Sequence, residues 1–138
     1  MQITLRKSMK SLEKLFHTIE IFCDKQNCGS RCVRQLHLAA EEIFTNMLKY
    51  NASEISPIIF FIDQKSDEIT MIFTDYNTLE FDPRCFIHYD NTLPLKKRPV
   101  GKLGLFLVYR FMDEVRYEFQ NGVSKITINK KCRSRVNA

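Results

Sequence analysis

Between Leu12 and Tyr50 the chain carries two apolar stripes at helical spacing, separated by one short break, and this pattern constrains the fold more than any other feature. Leu12, Leu15, Phe16, Ile19 and Phe22 recur at steps of three and four, which predicts an amphipathic helix over roughly Ser8 to Gln26. Asn27, Gly29 and Ser30 interrupt it, and Ser30 suits the N-cap of a second helix. That helix carries Val33, Leu36, Ala40, Ile43, Met47 and Tyr50 in one stripe. Strands flank the pair. Gln2 to Arg6 alternates polar and apolar residues, as a half-buried strand does. Pro57 to Asp63 is a nearly continuous run of β-formers, which predicts a central strand, and Glu68 to Thr74 follows as a second. Leu105, Val108 and Met112 mark a third helix from Gly104. Val115 to Gln120 and Val123 to Asn129 flank Asn121-Gly122, a strong hairpin signal. The order β-α-α-β-β-α-β-β predicts an α+β two-layer sandwich, a mixed sheet with helices on one face.

A chain of 138 residues suffices for one domain with one core, so residues 1–138 are read as a single unit. Its 44% hydrophobic and 27% charged residues are those of an ordinary globular protein. The longest strongly apolar stretch, Ile58 to Ile62, is far too short to span a bilayer, and the charged N-terminus lacks the apolar core of a signal peptide. Net charge is +5, but the basic residues are spread along the chain without interleaved aromatics, so no nucleic-acid partner is expected. The small cluster at Lys130–Arg135 reads as a solvated tail over about 131–138. Cys23, Cys28, Cys32, Cys85 and Cys132 make an odd count with no CxxC pair, which reads as free thiols in a reducing cytoplasm.

Three constellations carry chemistry. Glu42 and Asn46 stand four apart on the second helix, so both rise on one face at the edge of the apolar stripe. An Asn oxygen is a hard ligand suited to Mg²⁺, and a neighbouring Glu can accept a proton from an attacking hydroxyl. Asp75 ends a strand in Thr74-Asp75-Tyr76-Asn77, where a carboxylate can accept a hydrogen bond from an exocyclic amine; ordinary turn chemistry also favours Asp and Asn there. Gly101-Lys102-Leu103-Gly104-Leu105 opens the third helix. Glycine permits close backbone approach, and a helix N-terminus presents free N–H groups to phosphate. Between Asp75 and Lys102 no periodic pattern survives, and a segment that long in a compact domain is usually functional or mobile.

In order and context these pieces resemble the GHKL (histidine-kinase-like) ATPase superfamily, with its Bergerat-type ATP-binding fold. Glu42–Asn46 looks like its N-box, Asp75 like the Asp of its D-x-G box, and Gly101–Leu105 like its second glycine box. Phe81-Asp82-Pro83 and Met112-Asp113-Glu114-Val115-Arg116-Tyr117 are similar to strings of the anti-sigma-factor serine/threonine kinases. The resemblance runs over nearly the whole chain. It implies that Asn46 coordinates Mg²⁺ bridging the phosphates of ATP, and that Glu42 is the general base activating a serine on an anti-anti-sigma-type partner. It also implies that Asp75 recognises adenine, and that Gly101, Lys102, Leu103, Gly104 and Leu105 line the phosphates under a lid of about 82–100. Thr127, on the last strand, matches a family Thr near the adenine. A cytoplasmic protein that binds a sigma factor and forms a homodimer is further implied. The chain departs from the pattern where Asn77 replaces the D-x-G glycine and Lys102 stands where a glycine is frequent. Those departures keep a second expectation open: a protein-binding module, nucleotide-gated or nucleotide-independent, without phosphotransfer.

Overall fold

A computed structural model describes residues 1–50, 56–76 and 102–132. Its elements are β1 (Gln2–Leu5), α1 (Ser11–Lys25), α2 (Ser30–Tyr50), β2 (Ile58–Lys65), β3 (Glu68–Asp75), α3 (Lys102–Phe111), β4 (Glu114–Gln120) and β5 (Val123–Lys131). The expected order holds, with α1 starting later and ending one residue earlier than the spacing predicts. Ser30 opens α2 rather than capping it, and the first helical hydrogen bond runs from Val33 N to the Gly29 carbonyl.

The strands form one sheet in the order β1-β2-β3-β5-β4. Every pairing among them is antiparallel, so the expected mixed sheet is corrected to an antiparallel one. The reason lies in the helical hairpin. Two consecutive helices packed on each other return the chain to the end of the sheet where β1 left it, and β2 must then run back alongside β1. The β4–β5 turn is made by Asn121 and Gly122 with φ of 53° and 77°, the left-handed pair a two-residue hairpin of this hand requires.

Alternation divides the sheet into two faces. Ile69, Met71, Phe73 and Asp75 of β3 share one face with Ile58, Phe60 and Ile62 of β2 and with Ser124, Ile126 and Ile128 of β5. The apolar members of this set are buried in the core, with the rings of Phe60 and Phe73 directly opposed at 4.9 Å. The helices supply the other half of that core. Leu15, Ile19, Phe22 and Cys23 come from α1, and Leu36, Ala39, Ala40, Ile43, Phe44 and Met47 from α2. The result is the expected α+β two-layer sandwich.

The stretch from Met112 to Tyr117 is held by side chains as well as by pairing. Lys130 Nζ donates to the Phe111 carbonyl at the end of α3 (2.7 Å), and Lys131 N donates to Asp113 Oδ2 (2.6 Å). Asn129 joins two strands, accepting from Thr70 Oγ1 at 2.7 Å and donating to Glu114 Oε2 at 3.1 Å.

The cysteines correct one expectation. Cys32, in the first turn of α2, and Cys132, just past β5, are joined in a disulfide with Cα atoms 5.8 Å apart. Sequence cannot show this, because the partners are 100 residues apart and meet only when the helix layer packs on the sheet. Cys23 and Cys28 are buried free thiols, and burial, with Cys28 alongside, pushes the Cys23 thiol up to about 12. Cys85 lies outside the described residues.

Candidate functional site

Helix α2 places the first pair. The side of the helix that carries Leu36, Ala39, Ala40, Ile43, Phe44 and Met47 is buried in the core shared with the sheet, and α1 and α3 pack on the helix. Asn46 lies at the border of this stripe and is itself buried (6% exposed). Its Nδ2 donates to the Glu42 carbonyl at 2.6 Å, one turn back. That bond fixes the amide rotamer and leaves Oδ1, the atom a hard cation takes, without a partner among the described residues. Glu42 is half-buried. Burial first, and the neighbouring charge of Glu41 second, raise its carboxyl above the usual range. A carboxylate raised in this way is a stronger proton acceptor once ionised, as a general base requires.

Asp75 comes from the sheet. It is the last residue of β3, on the helix-facing side, and is completely buried. Burial raises its carboxyl, and Lys7 opposes that rise. The Lys7 ammonium lies 2.8 Å from Asp75 Oδ1 with both side chains withdrawn from solvent. At that distance the ammonium engages Oδ1, and the second oxygen, Oδ2, is buried without a partner among the described residues. Buried polar atoms are nearly always paired, so Oδ2 marks a place where a donor can be received.

The register settles where Thr127 stands. It is opposite Ile72 and Arg116, on the sheet face turned away from the helices, whereas Asp75 is on the face turned toward them. Thr127 is therefore not on the face of Asp75, and the expectation that the two stand together is corrected. Its place is taken by Ser124, directly opposite Asp75, on the same face and buried. Counting by twos along β5 from the Asn121-Gly122 turn finds Ser124; matching a hydroxyl residue by type alone does not.

Lys102, Leu103, Gly104 and Leu105 form the first turn of α3, which starts two residues before the apolar spacing indicates. The N–H groups of a first turn have no partner inside the helix, so this backbone presents donors suited to phosphate. Helix α3 packs on α2, the helix that carries Glu42 and Asn46. Asn77, Gly101, the Phe81-Asp82-Pro83 string, the lid of about 82–100 and the tail beyond Cys132 lie outside the described residues. A separate cavity of about 580 Å³ between α1 and α2, lined by His17, Cys23, Val33 and His37 among others, contains none of the residues above and is a different feature. No helix among the described residues is long and apolar enough to cross a membrane.

Three solved structures share this arrangement of helices and sheet. The RsbU and RsbW domains of a Mycobacterium tuberculosis protein superpose with a TM-score of 0.70 at 12% identity, over 98% of this chain and 33% of that one. This chain thus spans about a third of the mycobacterial chain. The SiaB–SiaC complex of Pseudomonas aeruginosa gives 0.63 at 13% identity, over 94% and 88% of the respective chains. The Acinetobacter baumannii histidine kinase AdeS gives 0.53 at 12%, over 97% and 68%. At such identities the likeness is one of fold. No curated protein matches the chain significantly in sequence. The model of the histidine kinase-like ATPase domain matches residues 5–130, from the end of β1 almost to the end of β5. By that match the chain belongs to the histidine kinase-like ATPase domain family.

Proposed function

We propose that this protein binds Mg²⁺-ATP between α2 and the helix-facing side of the sheet and transfers its γ-phosphoryl group to a serine or threonine of a partner protein of the anti-anti-sigma type. The observation that carries the reading is the fully buried Asp75 carboxylate at the end of β3, on the side of the sheet that packs against the helices. On α2 the side-chain bond of Asn46 uses Nδ2, which keeps Oδ1 for a cation, and at the end of β3 Asp75 Oδ2 is buried without a partner among the described residues. Asp75 accepts from the adenine amine, and Asn46 Oδ1 is the protein ligand for Mg²⁺, which when bound neutralises charge on the phosphates. The first turn of α3 offers backbone N–H groups to those phosphates. Glu42 takes the proton of the partner's hydroxyl as its oxygen bonds to the γ-phosphorus; the bond to the β–γ bridging oxygen breaks and ADP leaves.

Membership of the ATPase family supports nucleotide binding. The fold neighbours named for RsbW and for SiaB with SiaC support a regulatory kinase that works on a protein partner, and a sigma factor and a second copy of the chain belong to the same proposal. A cytoplasmic, bacterial setting follows from it too. Asn77, in place of the usual glycine beside the anchor, favours the second reading: a protein-binding module, gated by nucleotide or independent of it, that transfers no phosphate.

Calorimetric titration with Mg²⁺-ATP separates the two. The kinase reading expects saturable binding that Asp75→Ala abolishes, and Glu42→Gln to bind ATP normally while losing phosphotransfer to the partner. Absence of binding at millimolar ATP would leave only the nucleotide-independent module.

A further inference from the structure

We propose that Lys7 is a positioning residue of the nucleobase subsite: its ammonium, in charge contact with Asp75 Oδ1, keeps the carboxylate a pure acceptor and leaves Oδ2 for the exocyclic amine of adenine. The proposal rests on the nucleotide-binding reading and adds a residue that no motif in the chain marks.

The topology delivers Lys7 to this point. Leu5, the last residue of β1, stands opposite Ile58 of β2, which stands opposite Asp75 of β3. The chain leaving β1 therefore passes the end of β2, and a side chain two residues further on is long enough to reach β3. It does so buried: the Lys7 side chain is 2% exposed and that of Asp75 0%. Lysine is almost never fully buried unless paired, and a buried ion pair is a poor source of stability, since apolar residues of similar volume do as well or better. Packing alone therefore does not explain the pair.

Its hydrogen bonding does. Lysine has three donors and an ionised carboxylate accepts at two oxygens. Here Nζ and Oδ1 are in contact at 2.8 Å, which leaves Oδ2 buried without a partner among the described residues. The neighbours across the sheet, Ile58 and Ser124, carry no charge, so Lys7 is the described charge that opposes the burial of Asp75. Without it a carboxyl in this position takes up a proton, and a protonated carboxyl presents an O–H to the amine instead of a lone pair. Adenine, with N6–H₂ as donor, fits the ionised form. Hypoxanthine, with a carbonyl at the same place, sets acceptor against acceptor.

The test is calorimetric titration of Mg²⁺-ATP and Mg²⁺-ITP onto the wild-type chain, Lys7→Met and Lys7→Arg, at about pH 6.5 and about pH 8.5. Wild type is expected to prefer ATP by about tenfold or more. Lys7→Met is expected to lose about tenfold or more of its ATP affinity and most of that preference at the lower pH, and to regain part of both at the higher pH, which favours the ionised carboxylate. Lys7→Arg, which keeps the charge, is expected to stay within about threefold of wild type. If Lys7→Met does not fold, Lys7→Gln, neutral and of similar length, must show the same loss. Wild-type ATP affinity and preference in the neutral variant at both pH values would overturn the role of Lys7 and leave nucleotide binding intact. Failure of the wild-type chain to bind ATP would remove the nucleotide reading itself, and this role with it.

Discussion

Ser124 and Asp75 face each other across β5 and β3, both buried and both on the side of the sheet that the helices cover. Thr127 is three residues further along β5 and so points the other way. Ser124→Ala is therefore expected to weaken Mg²⁺-ATP binding by about three- to tenfold, the worth of one neutral hydrogen bond, while Thr127→Ala leaves it unchanged. Titration of the two variants side by side checks the face assignment; a larger effect from Thr127→Ala would reverse it.

Asn46 has two separable roles. Its Nδ2 is bonded to the Glu42 carbonyl at 2.6 Å, and its Oδ1 is free among the described residues. Asn46→Ala is expected to cost about 1 kcal/mol of stability and to make any remaining ATP affinity insensitive to Mg²⁺. Thermal unfolding reads the first effect, and titration with and without a chelator reads the second.

The Cys32–Cys132 bond closes a loop of 100 residues and ties the start of α2 to the end of the sheet. Reduction is expected to lower unfolding stability by about 2–4 kcal/mol. Denaturant unfolding with and without reductant measures it, and the double variant Cys32→Ser with Cys132→Ser should no longer respond to reductant.

Stability should fall as pH rises through the mildly acidic range. Glu42 and Asp75 have folded-state values raised above the ordinary 4.5 and 3.8, so the native state binds more protons than the unfolded chain between those values and the raised ones. Their contribution is fully present below the ordinary values and is lost as each ionises in the folded protein. Glu42→Gln removes the share of Glu42. Its melting temperature relative to wild type is expected to climb across this window and then level off; a constant difference at every pH would contradict the burial of Glu42.

Much of this was open to reading from the residues alone. The stripes of α1 and α2 are long and regular, and Asn121-Gly122 carries its own backbone requirement, so these elements are found within a few residues of their true bounds. Glu42 and Asn46 are legible because helical spacing is local: residues four apart share a face wherever the helix sits. Strand faces are also local, yet the family resemblance points to Thr127, whereas counting from the turn along β5 finds Ser124 on the face of Asp75. The antiparallel pairing of β1 with β2, the Cys32–Cys132 bond and the Lys7–Asp75 contact could not be found this way. Each joins segments that only the packing of helices on sheet brings together, and no short-range pattern encodes them.

Because β3 has β2 on one side and β5 on the other, with β1 and β4 outside them, its tip cannot move without dragging two neighbours along. Asp75 is thus a stationary post. Whatever rearrangement accompanies the arrival or departure of a small molecule must be borne by the pieces hung around the sheet, and spectroscopic labels meant to report it belong on those pieces, with the core strands as the unmoving reference.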